Sequence, residues 1–382
     1  MFTLRQYLFS VEDPYGLFRT LENIEFERDA TGQIRYRIGN SAVSFPVRYN
    51  GERYALRCYF NPHRNLRRIY QAGYYERELF IYDAPPRGRW VDVVLIPWVE
   101  GEELTMVLLR ALKEQDKCLL ATLSAQFDSL ATALLQAPWA HGDLKPENII
   151  VDNQGALQLI DRDGMFLPEM AGEQSPELGT AAYQHPLRTA ELFDATLDDY
   201  SVALLSTALH ALSLDPTLHA RYGHREGLII DSRHPAEDEA LNEILHLFAR
   251  NGLAVRYRIA RTLLRRRPNT LLCRPLFELL GKPFASIEEP WPELFFSEEG
   301  LWGFRREDEV VIPPLYDEGY DFSEGVAAVR LGDYWHFIDP TGRVALHCPP
   351  CRGVKPFRNG HAILYTDEGD FRIDLAGNRF EF

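Results

Sequence analysis

No apolar run in this 382-residue chain approaches the length needed to span a bilayer, and Met1-Phe2-Thr3-Leu4-Arg5-Gln6 lacks the apolar core of a signal peptide. The expectation is a cytoplasmic protein with no membrane partner. Positive charge is short: 41 Lys and Arg against 56 Asp and Glu leave a net charge of −15. That balance argues against a general binder of nucleic acid. Cysteine is sparse and odd in number, at Cys58, Cys118, Cys273, Cys348 and Cys351, which fits a reducing compartment better than a disulfide framework. Cys348-Pro349-Pro350-Cys351 has metal or redox spacing, but no second pair answers it, so a turn between strands is expected. The length itself is enough for two or three domains.

What is present is concentrated in one stretch, His141-Gly142-Asp143-Leu144-Lys145-Pro146-Glu147-Asn148-Ile149-Ile150-Val151. It packs an acid, a cation and an amide into six residues and then runs into an apolar strand. A second strand, Leu157-Gln158-Leu159-Ile160, ends at Asp161, and Asn153-Gln154-Gly155 between the two reads as a hairpin turn. The hairpin brings Asn148 and Asp161 to one end, with Asp143 just upstream. Oxygen donors of this kind suit Mg2+ at Asn148 and Asp161. Asp143 is placed to accept a proton from an attacking hydroxyl, and Lys145 to neutralise charge on a moving phosphoryl group. His141 is expected to pack in the core and bond backbone.

These residues resemble the catalytic and metal-binding loops of the protein-kinase family, His-Arg-Asp-x-Lys-x-x-x-Asn followed by Asp-Phe-Gly. Gly142 stands in place of the Arg, and Asp161-Arg162-Asp163-Gly164 in place of Asp-Phe-Gly. The interval from Asp143 selects Asp161 over Asp163 as the metal ligand. The resemblance implies a β-rich N-lobe. Its first strands are Arg35–Ile38, Val43–Tyr49 and Arg53–Tyr59, with an Asn50-Gly51 hairpin between the latter two. The phosphate-binding loop then falls at Gly39-Asn40-Ser41-Ala42, with one Gly where the family uses three. Tyr54-Ala55-Leu56-Arg57 matches the family's Val-Ala-Ile-Lys, with Arg57 for the Lys, an exchange that is not conservative at a phosphate site. The helix that should supply a partner for Arg57 is broken by Asn61-Pro62-His63. Glu76 is the better positional guess for that partner and Glu78 the other. After strands at Glu78–Tyr82 and Trp90–Ile96, Pro97-Trp98-Val99-Glu100-Gly101 resembles the hinge. Pro97 and Val99 would offer backbone groups to adenine there, and Glu103 would reach the ribose.

A long core helix is expected over Lys117–Gln136, where apolar residues recur at helical spacing. Gly179-Thr180-Ala181-Ala182-Tyr183-Gln184-His185-Pro186 resembles the family's substrate-docking loop. Asp198 matches the acid that anchors the catalytic loop, with a simple helix cap as the other reading. The basic stretch Arg256–Arg267 is expected to be a surface pairing with acidic neighbours. From about residue 293 the chain repeats itself: Phe322-Ser323-Glu324-Gly325 answers to Phe357-Arg358-Asn359-Gly360, and Ile338-Asp339 to Ile373-Asp374. These units resemble bacterial WG repeats, whose Trp and Phe are expected in the core and whose usual implication is protein contact.

The expected fold is α+β: a kinase-like domain over 1–260 (N-lobe about 30–96, C-lobe about 102–260), a linker over 261–292, and a small all-β repeat module over 293–382. The expected activity is transfer of the ATP γ-phosphoryl group, with Mg2+, to a protein hydroxyl. A small-molecule kinase of the aminoglycoside or choline kinase-like type is one alternative. A pseudokinase scaffold that recruits proteins through its repeats is the other. Without the Arg that Gly142 replaces, activity should not require phosphorylation of the segment after Gly164.

Overall fold

The longest strands form where β-branched and aromatic residues alternate between turn signals. In the computed structural model, which describes residues 2–223, 228–264, 291–306 and 309–381, these are β3 (Ala42–Tyr49), β4 (Glu52–Tyr59), β5 (Tyr74–Ala84) and β6 (Arg87–Pro97). Asn50 and Gly51 both take positive φ, 51° and 84°, as a tight hairpin between β3 and β4 requires. The antiparallel sheet runs β1-β3-β4-β6-β5, with β1 (Glu25–Phe26) and β2 (Arg37–Ile38) both pairing with β3. Between β4 and β5 lie only the five-residue helix α2 (Leu66–Tyr70) and a turn of 3-10 helix, Gln71–Gly73.

The first thirty residues, which carry no pattern of their own, complete this sheet. Helix α1 (Leu4–Glu12) is closed by a Thr3–Gln6 capping box. Tyr7, Val11, Leu17, Phe18, Leu21 and Ile24 join Val43, Phe45, Leu56, Leu79 and Val93 in one core. Glu78 is what holds them. Its buried carboxylate accepts from the Thr20 N–H and hydroxyl at 2.8 Å and from the Leu21 N–H at 2.7 Å.

A second, three-stranded sheet orders β7 (Gly101–Glu103), β8 (Ile149–Asp152) and β9 (Leu157–Leu159). Gly101, at φ +151°, passes so close to β8 that a Cβ there would meet the Val151 carbonyl oxygen at 2.3 Å. The β8–β9 turn is one of four of the same design among the described residues. In each, an Asp side chain accepts from the N–H groups two and four residues on, and a Gly at φ between 82° and 84° sits three residues on. The acids are Asp29, Asp152, Asp339 and Asp374.

The chain divides into two compact units, one of residues 1–107, 138–179 and 189–195, the other of 108–137, 180–188 and 196–382. Helix α3 (Leu104–Glu114) runs through the first boundary. The second unit holds α4 (Lys117–Gln136), α5 (Asp199–Leu214), α6 (Thr217–Tyr222), α7 (Glu239–Arg250) and α8 (Ala254–Thr262). Contrary to expectation, one apolar segment does have membrane-spanning length and composition, α4 itself. It packs on α5 and carries Asp128, which is buried and paired with Arg256. The basic stretch is also corrected in part. Its first arginines do pair with acids, but Arg256 and Arg258 are mostly buried, and residues 265–267 lie outside the described region.

The repeats make small antiparallel sheets: β10 (Glu293–Phe296), β11 (Trp302–Arg306) and β12 (Glu309–Tyr316); then β13 (Glu318–Gly319), β14 (Ala327–Leu331), β15 (Tyr334–Ile338) and β16 (Val344–His347); then β17 (Gly353–Arg358), β18 (His361–Tyr365), β19 (Phe371–Ile373) and β20 (Arg379–Phe380). Trp335, Phe337, Phe357 and Phe371 are core residues, whereas Trp302 is only partly buried and Phe296 and Phe380 are exposed. The repeats also share a core with the helices of their unit. Ala249 and Ala254 cluster with Phe304, Ile312, Leu315 and Phe322. Arg258 reaches Asp317 at 3.1 Å, and His336 Nε2 donates to the Ala249 carbonyl at 2.7 Å. Cys348 and Cys351 are free thiols in the connection between β16 and β17. The fold is thus mixed α+β, β-rich at the N-terminal end, with several small antiparallel sheets at the C-terminal end.

Candidate active site

The loop before β8 is shaped by His141 and Gly142. His141 is buried; its Nε2 donates to the Ile160 carbonyl at 2.8 Å, and its Nδ1 accepts the Asp143 N–H at 3.4 Å. Those two bonds tie the loop to the end of the hairpin. Gly142 takes φ +83°, a conformation that strains any residue with a Cβ. The Pro146–Asn148 turn of 3-10 helix then reverses the chain into β8.

Asp143, Lys145 and Asn148 come together. The Asn148 amide nitrogen donates to the Asp143 backbone oxygen at 2.8 Å and to its carboxylate at 3.1 Å. The Lys145 ammonium lies 3.2 Å from the same carboxylate oxygen. With its nitrogen turned to Asp143, Asn148 keeps its amide oxygen as the acceptor available to a cation. The Ile160 N–H donates to the Asn148 carbonyl at 2.9 Å, so the hairpin sets Asp161 one residue beyond that contact. Asp161 itself is a non-glycine residue at φ +59°, with 41 % of its side chain exposed. Backbone in that region is held only where its surroundings demand it.

Arg57, on β4, is buried and reaches both acids of the hairpin's end. Its Nη2 lies 2.8 Å from Asp161 Oδ1 and 2.6 Å from Asp163 Oδ2. The hydroxyls of Tyr59 and Tyr70 donate to the other Asp163 oxygen at 2.9 and 2.7 Å. Burial works against the charge on Arg57, but Asp161 and Asp163, helped by Tyr70 and Tyr59, outweigh it and hold the guanidinium well above its ordinary pKa. Burial first, and Asp163 second, push both tyrosines up, so they stay protonated donors. Arg57 Nε is buried without a hydrogen-bond partner among the described residues.

Glu76 does not join this group. It is exposed and bonded to Arg67, because β5 begins at Tyr74 and carries Glu76 away from Arg57. Glu78 is equally committed, to Thr20 and Leu21. Gly39 sits in the β2–β3 turn, its N–H bonded to the Ala42 carbonyl at 2.8 Å. Pro97 ends β6 opposite Tyr54. The Val99 N–H and carbonyl make no hydrogen bond among the described residues. Glu103, on β7, is ion-paired with Arg37 at 2.6 Å. Asp198 lies in the other unit, buried at the start of α5, and its side chain does not cap that helix.

Asp163 was set aside as a metal ligand and instead receives Arg57, and three residues near it went unforeseen: Tyr59, Tyr70 and Glu177. Tyr59 had a signal, since it lies two residues after Arg57 and shares its face of the strand. Glu177 lies 3.8 Å from His63 Nε2. Burial first, then the negative charges of Asp163, Asp161 and Asp143, raise the pKa of Glu177. No group of three or more His, Cys, Asp or Glu among the described residues is arranged to hold a metal alone.

A search of curated proteins finds no match to the chain. Residues 306–335 match the model of the WG containing repeat, and the C-terminal part of the protein therefore carries a WG repeat.

Proposed function

We propose that the protein is an ATP-dependent phosphotransferase of the protein-kinase type, bilobal in the kinase sense, acting on a protein hydroxyl. The observation that carries this reading is the shared Asp143 carboxylate, bonded by Asn148 and Lys145, beside a hairpin whose far strand delivers Asp161 to Arg57. A solvated surface hairpin has no reason to bury an arginine against its end.

The roles follow from the atoms. Asp143 accepts the proton of the attacking hydroxyl, oriented by the Asn148 amide. Lys145 offsets charge on the transferred group, and Arg57 faces the phosphates. Val99 offers an open backbone donor and acceptor to a base. The Asn148 amide oxygen and the half-exposed Asp161 carboxylate are hard donors that fit Mg2+. Two donors do not enclose an ion, so phosphate oxygens would complete its shell; when bound, the ion neutralises the β- and γ-phosphates. The WG repeat is in keeping with a protein partner, since modules of this kind usually imply protein contact. Transfer of the γ-phosphoryl group from Mg2+-ATP to a protein acceptor, slowed by about a hundredfold or more in Asp143→Asn, tests the reading. Phosphorylation only of a small metabolite would replace it with the small-molecule kinase.

A second reading, a scaffold with little turnover, has one observation in its favour. The Arg57 guanidinium lies against an Asp161 oxygen, which a metal would need. Mg2+-ATP binding without transfer to any acceptor would favour it.

A further inference from the structure

We propose that Asp163 is the positioning residue for Arg57, taking the part that a helix-borne glutamate would play, while Asp161 remains for the metal. This rests on the phosphotransfer reading and deepens it.

Arg57 needs an anchor because an arginine with its long stem samples many rotamers, and a phosphate ligand works only if held. The segment after β4 cannot supply one. Helix α2 reads Leu-Arg-Arg-Ile-Tyr and contains no acid, and the two glutamates that follow are spent on Arg67 and on the Thr20–Leu21 backbone. The acid arrives from the hairpin instead. Asp163 is 3 % exposed at its side chain against 41 % for Asp161, so the two carboxylates that share Arg57 Nη2 are unlike in kind. One is enclosed by Arg57, Tyr59 and Tyr70; the other faces solvent. Two tyrosine hydroxyls satisfy one Asp163 oxygen, and Arg57 the other. A buried carboxylate satisfied in this way is a fixed post rather than a free ligand. Two departures from the kinase pattern then become one exchange: Arg57 in place of lysine, and an acid two residues after Asp161. The longer guanidinium can hold Asp163 with one nitrogen, Nη2, and still carry further N–H groups.

The test is a double-variant cycle on the full chain, reading Mg2+-ATP affinity by titration calorimetry and KM against kcat in phosphoryl transfer. Asp163→Asn keeps the shape and removes the charge. It should weaken Mg2+-ATP by about tenfold or more, raising KM more than it lowers kcat. In an Arg57→Met background the same change should have no further effect on affinity. A role in folding alone would lower Tm in both backgrounds and leave affinity untouched, which would overturn the proposal. Should Asp163→Asn fail to fold, Tyr70→Phe removes one hydroxyl from the same carboxylate and should weaken nucleotide a few-fold; unchanged affinity there would overturn it equally. Wild-type protein that does not bind Mg2+-ATP removes the phosphotransfer reading and this proposal together. Wild type that binds while Asp163→Asn binds equally well removes this proposal only.

Discussion

Asp163 in one unit and Asp128 in the other are both buried against an arginine, and they differ in where their networks end. Asp128, on α4, accepts from Ser206 at 3.0 Å, from His210 Nε2 at 2.8 Å and from Arg256 Nη1 at 3.2 Å, while Arg256 Nη1 also lies 3.1 Å from Ser206. Burial opposes its charge, but the His210 bond and the Arg256 charge outweigh that and keep Asp128 below the ordinary carboxylate range. The donors converge on one another and tie α4, α5 and α8 together. Around Asp163 the network is not closed. It passes through Arg57 to the half-exposed, positive-φ Asp161, and Arg57 Nε has no hydrogen-bond partner among the described residues. A closed buried cluster reads as architecture, and an open one as a site.

That contrast can be broken by substitution. The largest effect on stability should come from Asp128→Ala, which strands Arg256 in the interior and should cost about 3–5 kcal/mol. Chemical denaturation should show it, with Mg2+-ATP affinity of the folded fraction unchanged. A loss of affinity with no loss of stability would make Asp128 part of the site instead.

The buried His336 sharpens the closed side of the comparison. Burial pushes its pKa down to about 4, with His347 adding to the shift and the bond to Ala249 opposing it. The folded state therefore binds its proton less readily than the unfolded chain, whose histidine titrates near ~6.5. Its contribution is fully present above that value and is lost as pH falls from about 6.5 to about 4, up to about 3 kcal/mol. Urea midpoints across that range should fall more steeply for wild type than for His336→Phe. Parallel curves would mean that His336 is not held neutral.

On the open side, Asp143→Asn should lower kcat by about a hundredfold or more, the usual share of a general base, with little change in Tm. An unchanged kcat would move the proton acceptor elsewhere. The smallest effect belongs to the shared turns. Asp339→Ala removes the bonds from the Thr341 and Arg343 N–H groups and should cost about 1 kcal/mol. It should leave catalysis alone, since it lies in the repeat.

Local chemistry made much of this legible. Apolar spacing gives α4 its bounds of Lys117–Gln136, and the turn at Asn153-Gln154-Gly155 gives the β8–β9 hairpin, because both are decided within a few residues. The loop residues Asp143, Lys145 and Asn148 lie within six positions, so their meeting needed no knowledge of tertiary structure. The partner of Arg57 was not legible. Counting forward along the chain points to Glu76, yet α2 is too short to turn it inward, and the true partner lies more than a hundred residues away. The same distance hides Arg256 from Asp128, which is why a buried clamp reads as a surface. Residues 2–30 were silent because their apolar side chains have no period of their own and take their places only against a finished sheet.

The most direct measurement is the thermal shift produced by Mg2+-ATP on the whole chain, beside Asp161→Asn. A nucleotide at about 100 times its Kd should stabilise wild type by roughly 2.7 kcal/mol, and the variant, with one oxygen donor weakened, should respond far less. A wild type whose Tm does not move at millimolar Mg2+-ATP, or a variant that responds equally, would contradict the account.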